Sequence, residues 1–162
     1  MLFRSEGYVY VADFKNHRVQ KYTSDGEYVA QIGGPGTKRS ALSCPTDVAV
    51  DPDGDVYVCT WNKNAWDRGR VQIYTSDGRF LTGLVGDAQQ LSHWAEMTVA
   101  ANTDYLKRRR EVRSTEPEWT FAQPTAVTFD AINGRLIVAD TQRSRLQIYN
   151  KLANYLVPQM NL

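Results

Sequence analysis

Residues 19–33 read VQKYTSDGEYVAQIG, and residues 71–86 read VQIYTSDGRFLTGLVG. The chain therefore contains nearly the same segment twice, with apolar and aromatic residues on both sides of a Ser-Asp-Gly turn. Val, Ile, Tyr and Phe are typical of strands, and Asp-Gly tolerates the positive φ of a hairpin loop. Each segment predicts two antiparallel strands joined by a tight turn.

The repeat is wider than this hairpin. Aligning the chain with itself gives three copies, at about residues 1–42, 45–86 and 124–157. Each copy contains short strand-forming segments, called a to d in chain order. In the second copy they are Asp47–Val50, Val56–Cys59, Arg70–Tyr74 and Phe80–Leu84. The sequence thus predicts an all-β domain over 1–162 with three four-stranded antiparallel sheets.

The b strands are apolar at consecutive positions, as in VYVA at 9–12 and VYVC at 56–59. A strand with this pattern is covered on both faces of its sheet. Sheets that cover one another in sequence order form a radial array, the β-propeller, which normally closes with four to eight blades. We therefore expect the three sheets to be stacked blades.

The stretches VYVADFKNHRVQKY at 9–22 and LIVADTQRSRLQIY at 136–149 resemble the NHL repeat. The resemblance extends over most of the chain outside 87–123 and implies a six-bladed β-propeller, of which three repeats would be half. The missing blades are then expected in the same chain or in a homodimer partner. NHL propellers include protein-binding scaffolds, RNA-binding domains and a zinc-dependent amidating lyase, and related propellers include calcium-dependent lactonases, so the resemblance implies fold more strongly than function.

Charged residues recur at fixed positions of the repeat, where strand b ends and strand c begins. They are Asp13, Arg18, Arg70, Asp140 and Arg145. We expect Asp–Arg pairs that tie the b–c loops, with a ligand-binding ring of arginines as the alternative. The second copy has Thr60 where an aspartate is expected, and Asp67 is a possible substitute.

Two departures from the repeat are the candidate binding elements. WNKNAWDRG at 61–69 lengthens the b–c connection of the second copy, and 87–123 separates the second copy from the third. Helical spacing of apolar residues predicts a helical insertion over 87–123. Because strands alternate in direction, both elements should leave from one rim of the propeller. The candidate binding residues of the loop are Trp61, Asn62, Trp66, Asp67 and Arg68.

The densest charge run in the chain is Lys107, Arg108, Arg109 and Arg110, followed by Arg113. A solvated helix face near a C-terminus accounts for such a run, and an anionic partner such as RNA is the alternative. Trp61 and Trp66 could stack on a base, contact a peptide or cover the rim.

The composition restricts the classes of partner and the cellular setting that we expect. Basic and acidic residues nearly balance at a net charge of +1, which leaves no overall field toward nucleic acid or a membrane. Cys44 and Cys59 lack the spacing of a disulfide framework or metal site, which favours a reducing, cytoplasmic setting. Because no apolar run is long enough to span a bilayer, we expect no membrane partner.

Catalytic patterns are absent from the sequence. His17 and His93 are the two histidines, and neither belongs to a metal-binding or nucleophile motif. GGPG at 33–36 lacks the residues of a phosphate loop, Asp51 and Asp53 are turn-forming, and Asp47 is a lone acid near the channel. We therefore expect no metal and no cofactor, and favour a non-enzymatic scaffold that binds a protein or peptide through the 61–69 loop and the 87–123 insertion. The alternatives are RNA binding through 107–113 and a fragment of a metal-dependent lyase or lactonase-like propeller.

Overall fold

The computed structural model describes residues 2–5, 7–61, 69–86, 96–97, 100–101, 104 and 120–152. These residues form eleven strands in three antiparallel sheets, in the order β1-β2-β3-β4, β5-β6-β7-β8 and β9-β10-β11. We call the sheets blades one, two and three. Among the described residues no helix is long and apolar enough to cross a membrane.

Blade one contains β1 (Leu2–Ser5), β2 (Tyr8–Asp13), β3 (Arg18–Thr23) and β4 (Tyr28–Ile32). Blade two contains β5 (Pro45–Val50), β6 (Val56–Thr60), β7 (Arg70–Tyr74) and β8 (Phe80–Leu84). Blade three contains β9 (Pro124–Asp130), β10 (Arg135–Asp140) and β11 (Arg145–Asn150). The four strands predicted for the second copy are confirmed, with β5 and β6 extended by one or two residues.

The third blade corrects the prediction of three four-stranded sheets, because it has three strands within the described residues. Blades one and two follow their third strand with Thr-Ser-Asp-Gly, in which the glycine N–H donates to the threonine carbonyl, Gly26 to Thr23 at 3.1 Å and Gly78 to Thr75 at 2.9 Å. The third copy has Asn150-Lys151-Leu152 there and lacks the Asp-Gly turn. Lys151 instead directs its side chain toward blade two, and the chain from 153 onward lies outside the described residues.

Successive blades cover one another's faces. One apolar cluster joins blades one and two and is built around residues such as Tyr10, Val19, Val58 and Tyr74. A second cluster joins blades two and three and includes Tyr57, Cys59, Val71, Leu136 and Val138. All five residues of β6 are buried. The expected covering of both faces is therefore confirmed for this strand.

Polar contacts supplement the apolar cluster between blades two and three. Asp51, in the β5–β6 turn, accepts the N–H groups of Asp53 at 2.9 Å and Asp55 at 3.0 Å, so its predicted turn-forming role is confirmed. The Lys151 ammonium, just beyond β11, lies 2.8 Å from an oxygen of Asp53 and 3.0 Å from one of Asp55, and it also contacts Asp51. The lysine of blade three thereby joins three carboxylates of one turn in blade two.

The helical insertion predicted over 87–123 is not supported by the described part of the chain. Most of that range lies outside the described residues, and only Glu96, Met97, Ala100 and Ala101 are helical there. The last residues of the range, 120–123, are not helical, and Phe121 is fully buried in the second cluster. The end of the predicted insertion is thus part of the contact between blades two and three.

Candidate functional site

The turns from the second to the third strand of each blade lie on the same edge of the molecule as the connections between blades. We call this edge the loop rim. Its described residues are 14–17, 33–44, 61, 69, 85–86, 120–123 and 141–144. Rigid strands therefore position a set of loops that differ between the three copies, which is the usual location of binding residues.

In blade one the rim turn is a single 3-10 turn, Phe14–Asn16, which ends at His17 with a φ of 57°. Asp13 accepts hydrogen bonds from the side chains of Asn16 at 2.9 Å and Arg18 at 3.0 Å. These bonds hold the pKa of Asp13 below its ordinary value. The two side chains are partly exposed, so the pair orients the turn more than it stabilises the fold.

In blade three the equivalent pair is buried. The Arg145 guanidinium lies 3.2 Å from the Asp140 carboxylate, and the side chain of Asp140 has no exposed area. Asp140 also accepts the N–H groups of Ala122 at 3.1 Å and Gln123 at 2.8 Å, and Arg145 donates to the Thr120 carbonyl at 2.8 Å. This pair therefore attaches the 120–123 segment to blade three.

Blade two departs from this arrangement because Thr60 replaces the aspartate. The Thr60 hydroxyl donates to the backbone carbonyl of Arg70 at 3.1 Å, which closes the base of the 61–69 loop. Asp67, the predicted substitute, lies outside the described residues.

Two hydrogen bonds in succession join blades one and two at the rim. The N–H of Cys44 donates to Nδ1 of His17 at 3.0 Å, and the N–H of Trp61 donates to the Cys44 carbonyl at 3.1 Å. Cys44 has a φ of 45°, which places both its backbone groups in reach of the neighbouring blades. The start of the 61–69 loop is therefore fixed relative to the 14–17 turn.

An aromatic pair covers this junction. The rings of Phe14 and Trp61 have centroids 5.8 Å apart at an interplanar angle of 52°. Trp61 remains 40% exposed, although it is tied by its backbone to Cys44. An exposed, well-positioned tryptophan at a boundary between rigid elements is typical of the anchor residues of binding surfaces.

A cleft of about 330 Å³ opens on the outer side of blade two, between the 33–44 connection and β7 and β8. Its polar lining residues are Arg39, Arg70, Gln72 and Thr82. Nε2 of Gln72 donates to the Arg39 carbonyl at 2.7 Å, whereas its buried Oε1 has no hydrogen-bond partner among the described residues. Arg70 pairs in register with Thr60, the residue before Trp61, so the cleft begins close to the aromatic pair.

The two segments that interrupt the repeat, 61–69 and 87–123, end next to each other. A Cβ on Gly69 would lie 2.2 Å from Cδ of Pro124, the first residue of β9. The N–H of Phe121 donates to the Val85 carbonyl at 2.8 Å and so joins the two ends of the segment between blades. The 61–69 loop and the segment from 87 onward therefore return to the fold within one small region of the rim.

Of the predicted binding residues, only Trp61 is described by the structure. Asn62, Trp66, Asp67, Arg68 and the basic residues Lys107, Arg108, Arg109 and Arg110 lie outside the described residues. Phe14, Arg39 and the His17–Cys44 contact were not predicted from the sequence. Phe14 lies in a turn of normal repeat length and therefore gave no signal, and the other two depend on connections of irregular structure.

Asp47 and Cys59 are buried groups of types that can be reactive. Asp47 accepts the N–H of Val48 at 2.9 Å and that of Val127, in blade three, at 3.0 Å, while burial raises its pKa. Burial, together with the carboxylates of Asp47 and Asp140, raises the pKa of the Cys59 thiol well above its ordinary value. No group of three His, Cys, Asp or Glu residues suited to a metal ion occurs in the described ranges.

Antiparallel sheets stacked face to face, with variable loops on one rim, define a protein of the β-propeller class. The NHL repeat family model matches residues 2–22. The chain is 30% identical over 135 residues to NHL repeat-containing protein 3 of Mus musculus, covering 83% of this chain and 32% of that protein. It is 26% identical over 160 residues to peptidyl-glycine alpha-amidating monooxygenase B of Xenopus laevis, covering 96% of this chain and 15% of that protein. The chain therefore belongs with the NHL-repeat proteins, and it spans a third or less of the length of these relatives.

Solved structures agree at the level of fold. A structure titled as a putative phosphatase from Bacteroides thetaiotaomicron matches with a TM-score of 0.53 at 13% identity, covering 94% of this chain and 35% of that one. Identity at this level carries no functional information.

Proposed function

We propose that this chain is a recognition module that binds a protein or peptide segment through its loop rim. The observation that carries the proposal is the Phe14–Trp61 pair, an exposed aromatic surface fixed at the junction of blades one and two. Aromatic anchors of this kind contribute a large share of binding energy when a partner covers them.

The neighbouring cleft gives the partner a chemical character. Arg39 and Arg70 are basic residues of its lining, and Phe80 and Val85 are apolar ones. A guanidinium binds a carboxylate with paired hydrogen bonds. A segment with an apolar or aromatic residue for Trp61 and an acidic residue for the cleft fits this surface.

The test is selection from a phage-displayed library of random peptides, followed by affinity measurement of the strongest clone as a synthetic peptide. Trp61→Ala should weaken binding on the order of thirtyfold, the loss expected for a buried anchor. Tyr28→Ala is the matched control, because Tyr28 is 59% exposed and lies on β4 rather than on the loop rim. Equal losses for the two variants, or none for either, would refute the proposal.

RNA binding through 107–113 and the lyase-like function stay alternatives. The test is a single-stranded oligoribonucleotide. An affinity that falls steeply with salt, and a salt dependence that is lost when Lys107 to Arg110 are changed to alanine, would favour RNA binding. The amidating monooxygenase among the relatives makes metal analysis worthwhile, and stoichiometric zinc or calcium would favour the enzymatic alternative. A selected peptide that depends on Trp61 would favour neither.

A further inference from the structure

Gln72 in blade two carries a buried hydrogen-bond acceptor for which the described residues supply no donor. The residue is 1% exposed, and the atom without a partner is its Oε1. Nε2 donates to the Arg39 carbonyl at 2.7 Å and to the Tyr74 hydroxyl at 3.2 Å, so both of its hydrogens are used. The amide cannot be reversed, because Oε1 would then face the Arg39 carbonyl. A buried acceptor of this kind requires a donor from elsewhere.

A comparison of the repeats explains why the cleft is open beside Gln72. Gly83 on β8 pairs with Gln72, and both residues line the cleft of about 330 Å³. The corresponding residue of blade one is Gln31, whose side chain accepts a hydrogen bond from Arg18 at 3.4 Å and donates one to the Gly33 carbonyl at 3.0 Å. Because blade two has a glycine at this position, the place of that side chain is left open.

We propose that the cleft binds one acidic residue of the peptide through two groups: its backbone N–H donates to Oε1 of Gln72, and its carboxylate pairs with Arg39. This binding mode, which rests on the proposed function, adds recognition of the peptide backbone to it. A carboxylate alone would place a second acceptor against Oε1, which is unfavourable. A single aspartate or glutamate supplies both the donor for Gln72 and the anion for Arg39.

The register of blade two sets the spacing between this residue and the aromatic anchor. Gln72 lies two residues after Arg70 on β7, and Arg70 pairs with Thr60, the neighbour of Trp61. A strand rises about 3.3 Å per residue, so Gln72 lies on the order of 10 Å from Trp61 along the sheet. About three residues of an extended peptide cover this distance. The acidic residue is therefore expected about three positions from the residue that contacts Trp61.

The first test is a backbone ester scan of the peptide selected from the library. An ester oxygen in place of one amide N–H removes the donor and leaves every side chain and the protein unchanged. At the acidic residue this replacement should weaken binding on the order of tenfold, because an ester oxygen would then face Oε1 of Gln72. An ester at the peptide end farthest from the acidic residue is the control, and its effect should stay within about twofold.

Gly83→Gln tests the same contact from the side of the protein. A Cβ at this position would lie 3.7 Å from the Val71 carbonyl oxygen and 4.0 Å from Cγ of Gln72, which are ordinary contact distances, so we expect the variant to fold. Its side chain would fill the open place, weaken binding on the order of tenfold and remove the effect of the ester. Val29→Gln, at a 43% exposed position of β4, is the control and should leave both measurements unchanged. Circular dichroism compares the folds.

Two results would overturn this binding mode and leave the proposed function intact. One is a peptide that depends on Trp61 but is not weakened by an ester at any position, which would assign Oε1 of Gln72 to an ordered water. The other is an ester effect of the same size in wild type and in Gly83→Gln. A Trp61→Ala variant that binds the selected peptide as tightly as wild type would instead refute the proposed function, and a library without any binder would refute both.

Discussion

The carboxylate of Asp47 in blade two accepts the backbone N–H of Val127 in blade three at 3.0 Å. Asp47 lies on the first strand of its blade, and the corresponding position of the third copy is Ala126. A residue that varies between copies thus joins the inner strands of two blades. Blade stacking is therefore stabilised by specific polar contacts as well as by apolar clusters.

Replacing Asp47 with alanine should lower the free energy of unfolding by about 2 kcal/mol, because the Val127 N–H then lacks an acceptor in a buried place. Urea unfolding followed by circular dichroism measures the change. Glu27→Ala, an exposed acid in the β3–β4 turn, is the control and should change stability by less than about 0.5 kcal/mol. Equal effects for the two variants would contradict the role assigned to Asp47.

The pH dependence of stability gives a second test of Asp47. Burial raises its pKa above the ordinary value, so the folded state binds the proton at a higher pH than the unfolded state does. Stability therefore rises, on this account, as pH falls through the raised pKa toward about 3.9, the ordinary value for aspartate. The unfolding free energy of the wild type minus that of Asp47→Asn should increase on acidification over this window. A difference that shrinks would show that the folded-state pKa is lowered instead.

Lys151→Met should destabilise the chain by about 2 kcal/mol, since it leaves the carboxylates of Asp51 and Asp55 near one another without their cation. Hydrogen bonds to those carboxylates outweigh burial and raise the pKa of Lys151. Its contribution is therefore complete below the ordinary lysine pKa of about 10.4 and is lost at higher pH. Lys38→Met, an exposed lysine in the 33–44 connection, is the control. Equal melting temperatures for the two variants would argue against the contact.

Gly86→Ala should destabilise the junction between blades two and three more than a turn glycine does elsewhere. Gly86 has a φ of 86°, and an added Cβ would lie 2.5 Å from the Phe121 nitrogen. Gly26 has a φ of 90° with no atom within 4 Å of such a Cβ, so Gly26→Ala measures the conformational strain alone. We expect Gly86→Ala to lower the free energy of unfolding by about 2 kcal/mol more than Gly26→Ala does, because the added Cβ forces the neighbouring backbone to shift. Similar costs would mean that the close approach is absent.

The fold was largely predictable because its information is local and repeated. Tight-turn residues and short β-forming segments defined β5 to β8, and the consecutive apolar residues of β6 predicted that both its faces are covered. Two features were not predictable in this way. The first is the third copy, which lacks the Asp-Gly turn and departs from the four-stranded pattern. The second is the contact of Lys151 with Asp51, Asp53 and Asp55, because these residues are far apart in sequence and do not follow the repeat.

The rim was predictable only in part. Trp61 was identified because it begins a stretch that interrupts the repeat, whereas Phe14 sits in a turn of normal length and gave no such signal. Their contact depends on the unusual backbone of Cys44, which the sequence does not reveal. Structure is needed here because the site forms between copies, and the repeat pattern describes each copy separately.

The most direct test of the stacked-blade account is a double-mutant cycle on Tyr57 and Phe129, whose rings stack between blades two and three with centroids 5.7 Å apart. Changing each to leucine, singly and together, should give a coupling energy of about 1 kcal/mol in urea unfolding. Phe129 and Tyr10, which belong to different clusters, should be additive within about 0.5 kcal/mol. An additive Tyr57–Phe129 pair would contradict the stacking of the second and third repeats.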